Sequence, residues 1–171
     1  MLRYLINKRL DAAEKFLGAP VDYLRFIYDH SRAAFFKFLL FMPLAAHRRS
    51  LPVDARSVAI IVATREADCG TCLQIAVHQA RHARVPKEII NAVLRARPQD
   101  LSDDLAGVYH FTEHVVRATG EEEPLRERLR ARYGDAALVD LALTIATSQV
   151  FPLTKRALGY AKSCSLVHVE V

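Results

Sequence analysis

Apolar residues recur every three to four positions along nearly the whole chain, the spacing that turns one face of an α-helix inward. No stretch sustains the every-other-residue alternation of a half-buried strand. The pattern predicts a first helix over residues 2–17, closed by Gly18 with Pro20 just beyond. An aromatic-rich second helix is expected over 20–41, ended or kinked by Pro43. His47-Arg48-Arg49-Ser50-Leu51-Pro52 reads as a connector. Asp54 then stands where it can cap a helix over 55–66, whose apolar positions include Val58, Ile61 and Val62.

After the short polar Glu66-Ala67-Asp68, a helix restarts at about Cys69 and runs to Val85. Pro86 opens a short helix over 86–95, at the first position where proline is tolerated. Ser102 caps a helix that ends before Gly120, and Glu121-Glu122-Glu123 begins the next, where negative charge suits the helix dipole. Gly134-Asp135 leads into a strongly apolar helix over 136–150. Pro152 is expected to bend or break it before a last helix to about Lys162, and the weakly alternating tail 164–171 is expected to be irregular. The expected fold class is therefore all-α, a multi-helix bundle. Residues 1–50 supply helices for packing and oligomerisation, residues 51–171 carry the chemistry, and the two form one compact unit.

A length of 171 residues fits one domain, and a chain that is 51% hydrophobic can build a core without cysteines as staples. The net charge of +5 invites a nucleic-acid reading. However, the basic residues are dispersed among acids, as in Glu127-Arg128-Leu129-Arg130, and no Lys/Arg stripe is interleaved with aromatics. A nucleic-acid partner is not expected. The N-terminus has positive charge but no following apolar core or small-residue cleavage site. The most hydrophobic stretch, 33–42, contains Lys37 and stops at Pro43, short of the ~20 residues of a membrane span, so stable insertion is not expected. A reducing, cytoplasmic setting is expected, in which a close cysteine pair is more often catalytic or metal-binding than structural.

That pair is Cys69-Gly70-Thr71-Cys72. Three residues apart at a helix start, two cysteines stand on one side about a turn apart, so their sulfurs can close a disulfide with little backbone movement. Free N–H groups and the helix dipole there favour a thiolate. Asp68 is placed to cap that end, while its charge and that of Glu66 partly oppose the dipole. The spacing admits three readings: redox chemistry, a metal site, or a buried packing pair. A metal needs more ligands, and the nearest candidates are poorly placed. On one helix His78 lies about 9 Å beyond Cys72 and roughly 120° around, with His82 about 15 Å away. Neither shares a tetrahedral zinc with the pair, and both are expected on the solvated side with Arg81. Ile75, Ala76, Gln79, Ala80 and Ala83 accompany the cysteines, mostly small and apolar, so neighbouring helices can pack closely and partly bury the pair.

Glu66-Ala67-Asp68-Cys69-Gly70-Thr71-Cys72, followed by a helix ending in His82-Ala83-Arg84-Val85-Pro86-Lys87-Glu88-Ile89-Ile90, resembles the carboxymuconolactone decarboxylase/alkylhydroperoxidase D-like superfamily. The segment Arg132-Tyr133-Gly134-Asp135-Ala136-Ala137-Leu138-Val139-Asp140-Leu141 is similar to that family's lead into its final apolar helix. The resemblance covers about 52–160 and implies an all-helical fold, homo-oligomers built by helix packing, and thiol-dependent peroxide reduction. It implies Cys72 as the attacking sulfur and Cys69 as the resolving one. The alkylhydroperoxidase branch also carries a histidine four residues after the second cysteine and a glutamate twelve before the first. Those positions are Ala76 and Ser57 in this chain, so the proton relay does not carry over. Nor does lactone decarboxylation, since nothing marks a lactone or carboxylate site.

Other bases can be named. Glu66 sits at the helix junction, and His110 and His114 share a face with Glu113 beside them. Each is either a proton acceptor for a thiol or an ordinary surface or core group. Gln149 is either a polar contact to the site or a core hydrogen bond, and the unpaired Cys164 is expected to be inert. The leading expectation is a thiol-disulfide oxidoreductase or peroxidase of the alkylhydroperoxidase type. It would have a redox-active disulfide and no other cofactor, a small peroxide or disulfide substrate and a thiol reductant. The alternative is a non-catalytic helical homo-oligomer of the same fold. The surplus of aromatics, including Phe26, Phe35, Phe36, Phe38 and Phe41, predicts a subunit interface in either case.

Overall fold

The computed structural model describes residues 2–162. These form nine α-helices and no strand: α1 (Leu2–Leu17), α2 (Asp22–His30), α3 (Arg32–Ala45), α4 (Val53–Glu66), α5 (Gly70–His82), α6 (Lys87–Leu94), α7 (Asp103–Arg117), α8 (Glu123–Tyr133) and α9 (Asp135–Ala157). A single 3-10 turn, Pro98–Asp100, joins α6 to α7. The all-α class read from the periodicity holds for the described residues. The tail 164–171, with Cys164, lies outside them.

The first helix has the predicted limits. Gly18 ends it at φ +64, with its N–H on the Glu14 carbonyl at 2.9 Å. The nearest atom to a Cβ built there would be 3.5 Å away, on His78, so the left-handed backbone, not lack of space, asks for glycine. His78 is accordingly half-buried against the end of α1, not on the solvated side. His82 is exposed as expected, its ring stacked on Phe16.

The single helix expected over 20–41 is two. Ser31 is extended (φ −153, ψ 90) and its hydroxyl accepts from the Ala34 N–H at 3.3 Å, so it stops α2 and caps α3. A serine offering a local acceptor competes with helix continuation, and the turn lets Tyr28 and Phe35 meet edge to face at 5.1 Å. Pro43 lies inside the last turn of α3 rather than ending it. Ser31→Ala is expected to cost about 1 kcal/mol in urea unfolding. Unchanged stability would mean that the Tyr28–Phe35 contact alone holds the break.

The apolar helix over 136–150 also continues where a break was expected. α9 runs through Pro152 to Ala157. Proline's fixed φ is helical, so the helix continues, at the cost of the bond to the Ser148 carbonyl and of the ring's crowding against it. The stop comes instead at Gly159 (φ +77), where the Tyr160 N–H closes onto the Lys155 carbonyl at 2.7 Å. By length and composition α9 is the one described helix that could cross a membrane. In the fold it packs against α4, α8 and α3 as a core helix does.

Two cores result. α4 is buried around nearly its whole circumference and touches α5, α6, α7 and α9, making it the axis of the larger one. Leu10, Val21, Tyr23, Leu24, Tyr28 and Phe35 form the smaller one in the N-terminal helices. The rings of Phe38 and Phe41 meet Phe151 of α9 at 5.9 and 5.7 Å and tie the two together.

Two polar devices orient α4. Arg65 donates to the Val93 carbonyl (2.7 Å), to Glu66 (2.9 Å) and to the Tyr109 hydroxyl (2.7 Å), stitching α4 to α6 and α7. At the other end, buried Asp140 of α9 accepts from the backbone N–H groups of Arg49 (2.8 Å), Ser50 (2.6 Å) and Leu51 (2.9 Å). Its second oxygen faces His47 at 3.2 Å. Burial alone would raise this carboxyl's pKa, but the three N–H groups outweigh it and hold the value down at about 2.

Candidate active site around Cys69 and Cys72

α4 ends at Glu66, and the chain turns through Asp68 at φ +46 into Cys69, which is extended (φ −118, ψ 92) immediately before α5. This turn is clasped from the far end of the described chain. The Gly70 N–H donates to the Lys162 carbonyl at 2.8 Å, and the Arg156 guanidinium donates to the carbonyls of Ala67 and Asp68. Both cysteines are free thiols and both are buried. Cys72 retains 5% exposure against none for Cys69, and Cys72 alone of the two lines a cavity of about 740 Å³. Access belongs to Cys72.

Charge belongs to Cys69. The Cys72 thiol beside it is the main influence drawing its pKa down to about 5. Burial opposes this, while the Thr71 hydroxyl at 3.6 Å, the Cys72 backbone N–H and the Lys155 ammonium support it. The Cys69 sulfur makes no regular capping bond, so the helix terminus acts through proximity and its dipole. Cys72 moves the other way, pushed well above the ordinary thiol range by its neighbour's charge and by burial, with Lys155 pulling against both. The pair therefore holds one negative charge and one proton between two sulfurs.

Lys155 is the residue that sequence reasoning missed. It is 3% exposed, and its ammonium donates to Thr71 Oγ1 at 3.1 Å and lies over the Tyr23 ring at 5.1 Å. Among the described residues it forms no ion pair with a carboxylate, and the charge it feels there is that of the cysteine pair. With Lys155 donating to its oxygen, the Thr71 hydroxyl keeps its own proton to offer Cys69. Tyr23 closes the site from α2, and burial together with the charge on the cysteines raises its phenol further out of the ionising range. The N-terminal helices, read from sequence as packing elements, thus contribute a wall of the site. Spacing carried one legible signal, because Thr147, Ser148, Phe151 and Lys155 fall on one face of α9 and all line the cavity.

The bases named from sequence lie elsewhere. Glu66 accepts from Arg65 at 2.9 Å and from Arg117 at 2.7 Å. Burial would raise its pKa, but the two guanidiniums lower it on balance. His110 faces Glu113 at 3.8 Å, and His114 meets Thr119 at 2.7 Å and Glu121 at 3.6 Å. None of these three lines the cavity or perturbs either cysteine. Gln149 donates to the Ala63 carbonyl at 2.7 Å, a cross-link between α9 and α4. Ser57 is buried in α4, and Ala76 is part of the cavity wall. Among the described residues no three His, Cys, Asp or Glu side chains converge as metal ligands would.

No protein-family model matches the sequence, and no curated protein matches it either.

Proposed function

We propose that this chain is a thiol-disulfide oxidoreductase that reduces a peroxide or disulfide with Cys69 and Cys72, in the manner of the alkylhydroperoxidase D-like bundles its sequence resembles. The observation that carries the reading is the division of labour within the pair. One sulfur faces a cavity, the other bears a stabilised charge, and a buried ammonium with no carboxylate partner among the described residues serves both.

That division also supplies a substitute for the absent histidine and glutamate. A substrate in the cavity meets only Cys72. As Cys72 attacks the distal oxygen of a hydroperoxide, its proton passes to the Cys69 thiolate. The O–O bond breaks, leaving a sulfenic acid on Cys72 and an alkoxide that takes the proton back from Cys69. The restored Cys69 thiolate then attacks the Cys72 sulfur and expels hydroxide, which becomes water with a proton from solvent. The balance is one hydroperoxide reduced to alcohol and water, and two thiols oxidised to one disulfide. An external dithiol or two thiols return the pair to its starting state.

The test is mass spectrometry of the peptide carrying both cysteines after mild peroxide treatment. Loss of two hydrogens is expected, reversed by dithiothreitol, and Cys72→Ser should end peroxide turnover. Two free thiols surviving a dose that oxidises free cysteine would overturn the proposal.

A second reading, a non-catalytic homo-oligomer, is favoured by Phe36, Leu40 and Leu44. These lie at successive four-residue steps on α3 and are 44%, 77% and 44% exposed. It wins if Cys72→Ser keeps its sedimentation behaviour and the unaltered protein never exceeds background turnover.

A further inference from the structure

The cavity beside Cys72 lies between the two cores, and its volume of about 740 Å³ falls among those of small-molecule sites. Its walls come from α1, α2, α3, α4, α5 and α9 and are mostly apolar, as Leu10, Leu39, Met42, Ile60 and Phe151 show. Among the described residues, the charged ones that line it are Arg9, Arg56 and Lys155, with no carboxylate. An apolar space edged only by cations is suited to a molecule that is greasy along its length and anionic at one point.

Arg56 marks that point. One of its Nη groups donates to the Ala45 carbonyl at 2.8 Å, while its Nε–H is shut away from solvent with no acceptor. With its Nε–H sealed off, Arg56 meets a molecule in the cavity through its Nη groups. The charges around it leave it under-neutralised. Burial pulls its pKa down and Arg48 repels it; Asp140 alone attracts it. That carboxylate is already taken by three backbone N–H groups and His47. Lys155, at the sulfurs, already has a counter-charge, and Arg9 is exposed. Arg56 is the half-buried cation of the lining that forms no salt bridge among the described residues.

The register sets the distance to the chemistry. Arg56, Ile60 and Thr64 fall on one face of α4 and all line the cavity, so Arg56 stands about 12 Å along the helix from Thr64. Only residues 67–69 separate α4 from α5, and so short a connection makes the two helices antiparallel neighbours. Thr64, near the end of α4, is thereby level with Cys72, near the start of α5. By this register the guanidinium and the sulfur both line the cavity about two helical turns apart along α4.

We infer that this cavity binds an alkyl-chain carboxylate, with its head on the Arg56 guanidinium and its chain laid along α4 toward Cys72. Given the redox reading above, on which this step rests, the substrate is a hydroperoxide carried on a fatty acid. The carboxylate fixes which stretch of chain meets the sulfur. A guanidinium edge matches the two oxygens of a carboxylate, and the cavity leaves the peroxide-bearing carbons among apolar side chains.

Binding can be separated from redox chemistry by using laurate, which carries no peroxide. Parinaric acid fluorescence reports occupancy of the reduced full-length protein, with laurate and dodecanol as competitors of equal chain length. Laurate should displace the probe at least tenfold better than dodecanol. Arg56→Met should remove that advantage while leaving dodecanol competition in place, and Arg56→Lys should keep part of it. Ala13→Phe, which intrudes on the cavity from α1, should abolish binding of both. Equal competition by laurate and dodecanol in the unaltered protein overturns the headgroup assignment without recourse to any variant. Absence of probe binding overturns the site itself. Laurate binding that persists in Cys69→Ser/Cys72→Ser, when no peroxide oxidises the native pair, leaves this inference standing and removes only the redox reading. Peroxide reduction without laurate binding does the reverse.

Discussion

Lys155→Met should slow peroxide oxidation of the Cys69–Cys72 pair by about tenfold or more at neutral pH, and should leave the protein no less stable than before. The two halves of that expectation have one cause. A buried ammonium with the cysteine pair as its counter-charge, and no carboxylate among the described residues, carries a desolvation cost that the pair offsets only while it is ionised. Methionine fills similar space without it, so the melting temperature should hold or rise. The same ammonium is the cation both sulfurs feel. At hydrogen-bond range a cation favours a thiolate by a few kcal/mol at an effective dielectric of ~20, and ~1.4 kcal/mol of that reaching the transition state is tenfold in rate. The pH–rate profile should also move upward, because the pair gives up its first proton less readily. Lys155→Arg, which keeps the charge, should recover part of the rate. A variant with an unmoved profile and a lower melting temperature would show that Lys155 is merely a packing residue.

The second large effect is on stability. Asp140→Ala would leave the N–H groups of Arg49, Ser50 and Leu51 without their shared acceptor. Hydrogen bonds to a charged group contribute ~1.5–3 kcal/mol each and are not additive, so a total loss of about 3–5 kcal/mol is expected. For a chain of this size that lowers the melting temperature by about 10 °C. Asp140→Asn keeps an acceptor oxygen and should lose about half as much. The carboxyl's folded-state value of about 2 lies below that of an unfolded aspartate, ~3.9. Its contribution is therefore complete above about pH 4 and is lost as pH falls toward 2. The native protein should weaken over that interval by more than Asp140→Asn does. Equal acid sensitivity of the two would count against this anchor.

These two residues show where sequence reading stops. Both lie on α9: Asp140 is the lone charge in its legible apolar run, and Lys155 stands beside Arg156 in the last turn beyond it. Nothing local says that Asp140 meets a connector some ninety residues earlier, or that Lys155 meets Thr71. Glu66, His110 and His114 were legible as candidate bases because they are titratable and lie close in sequence either to the cysteines or to one another. The helices carry all three to the α7 side of α4, where Arg65, Arg117, Glu113, Thr119 and Glu121 engage them. The break at Ser31 and the continuity through Pro152 were misread because serine and proline each permit two outcomes, and neighbouring helices choose between them.

What the sequence determined by itself is local. Period-3.6 patterning, Gly18 in its left-handed turn and two cysteines a helical turn apart at the head of α5 follow from backbone sterics and side-chain spacing over a few residues. What only the tertiary structure decided is which cysteine is open to the cavity, which charge faces the pair, and which guanidinium looks into the same space. Those depend on segments far apart in the chain being brought to contact, where burial sharpens every charge, and no short-range pattern encodes that meeting.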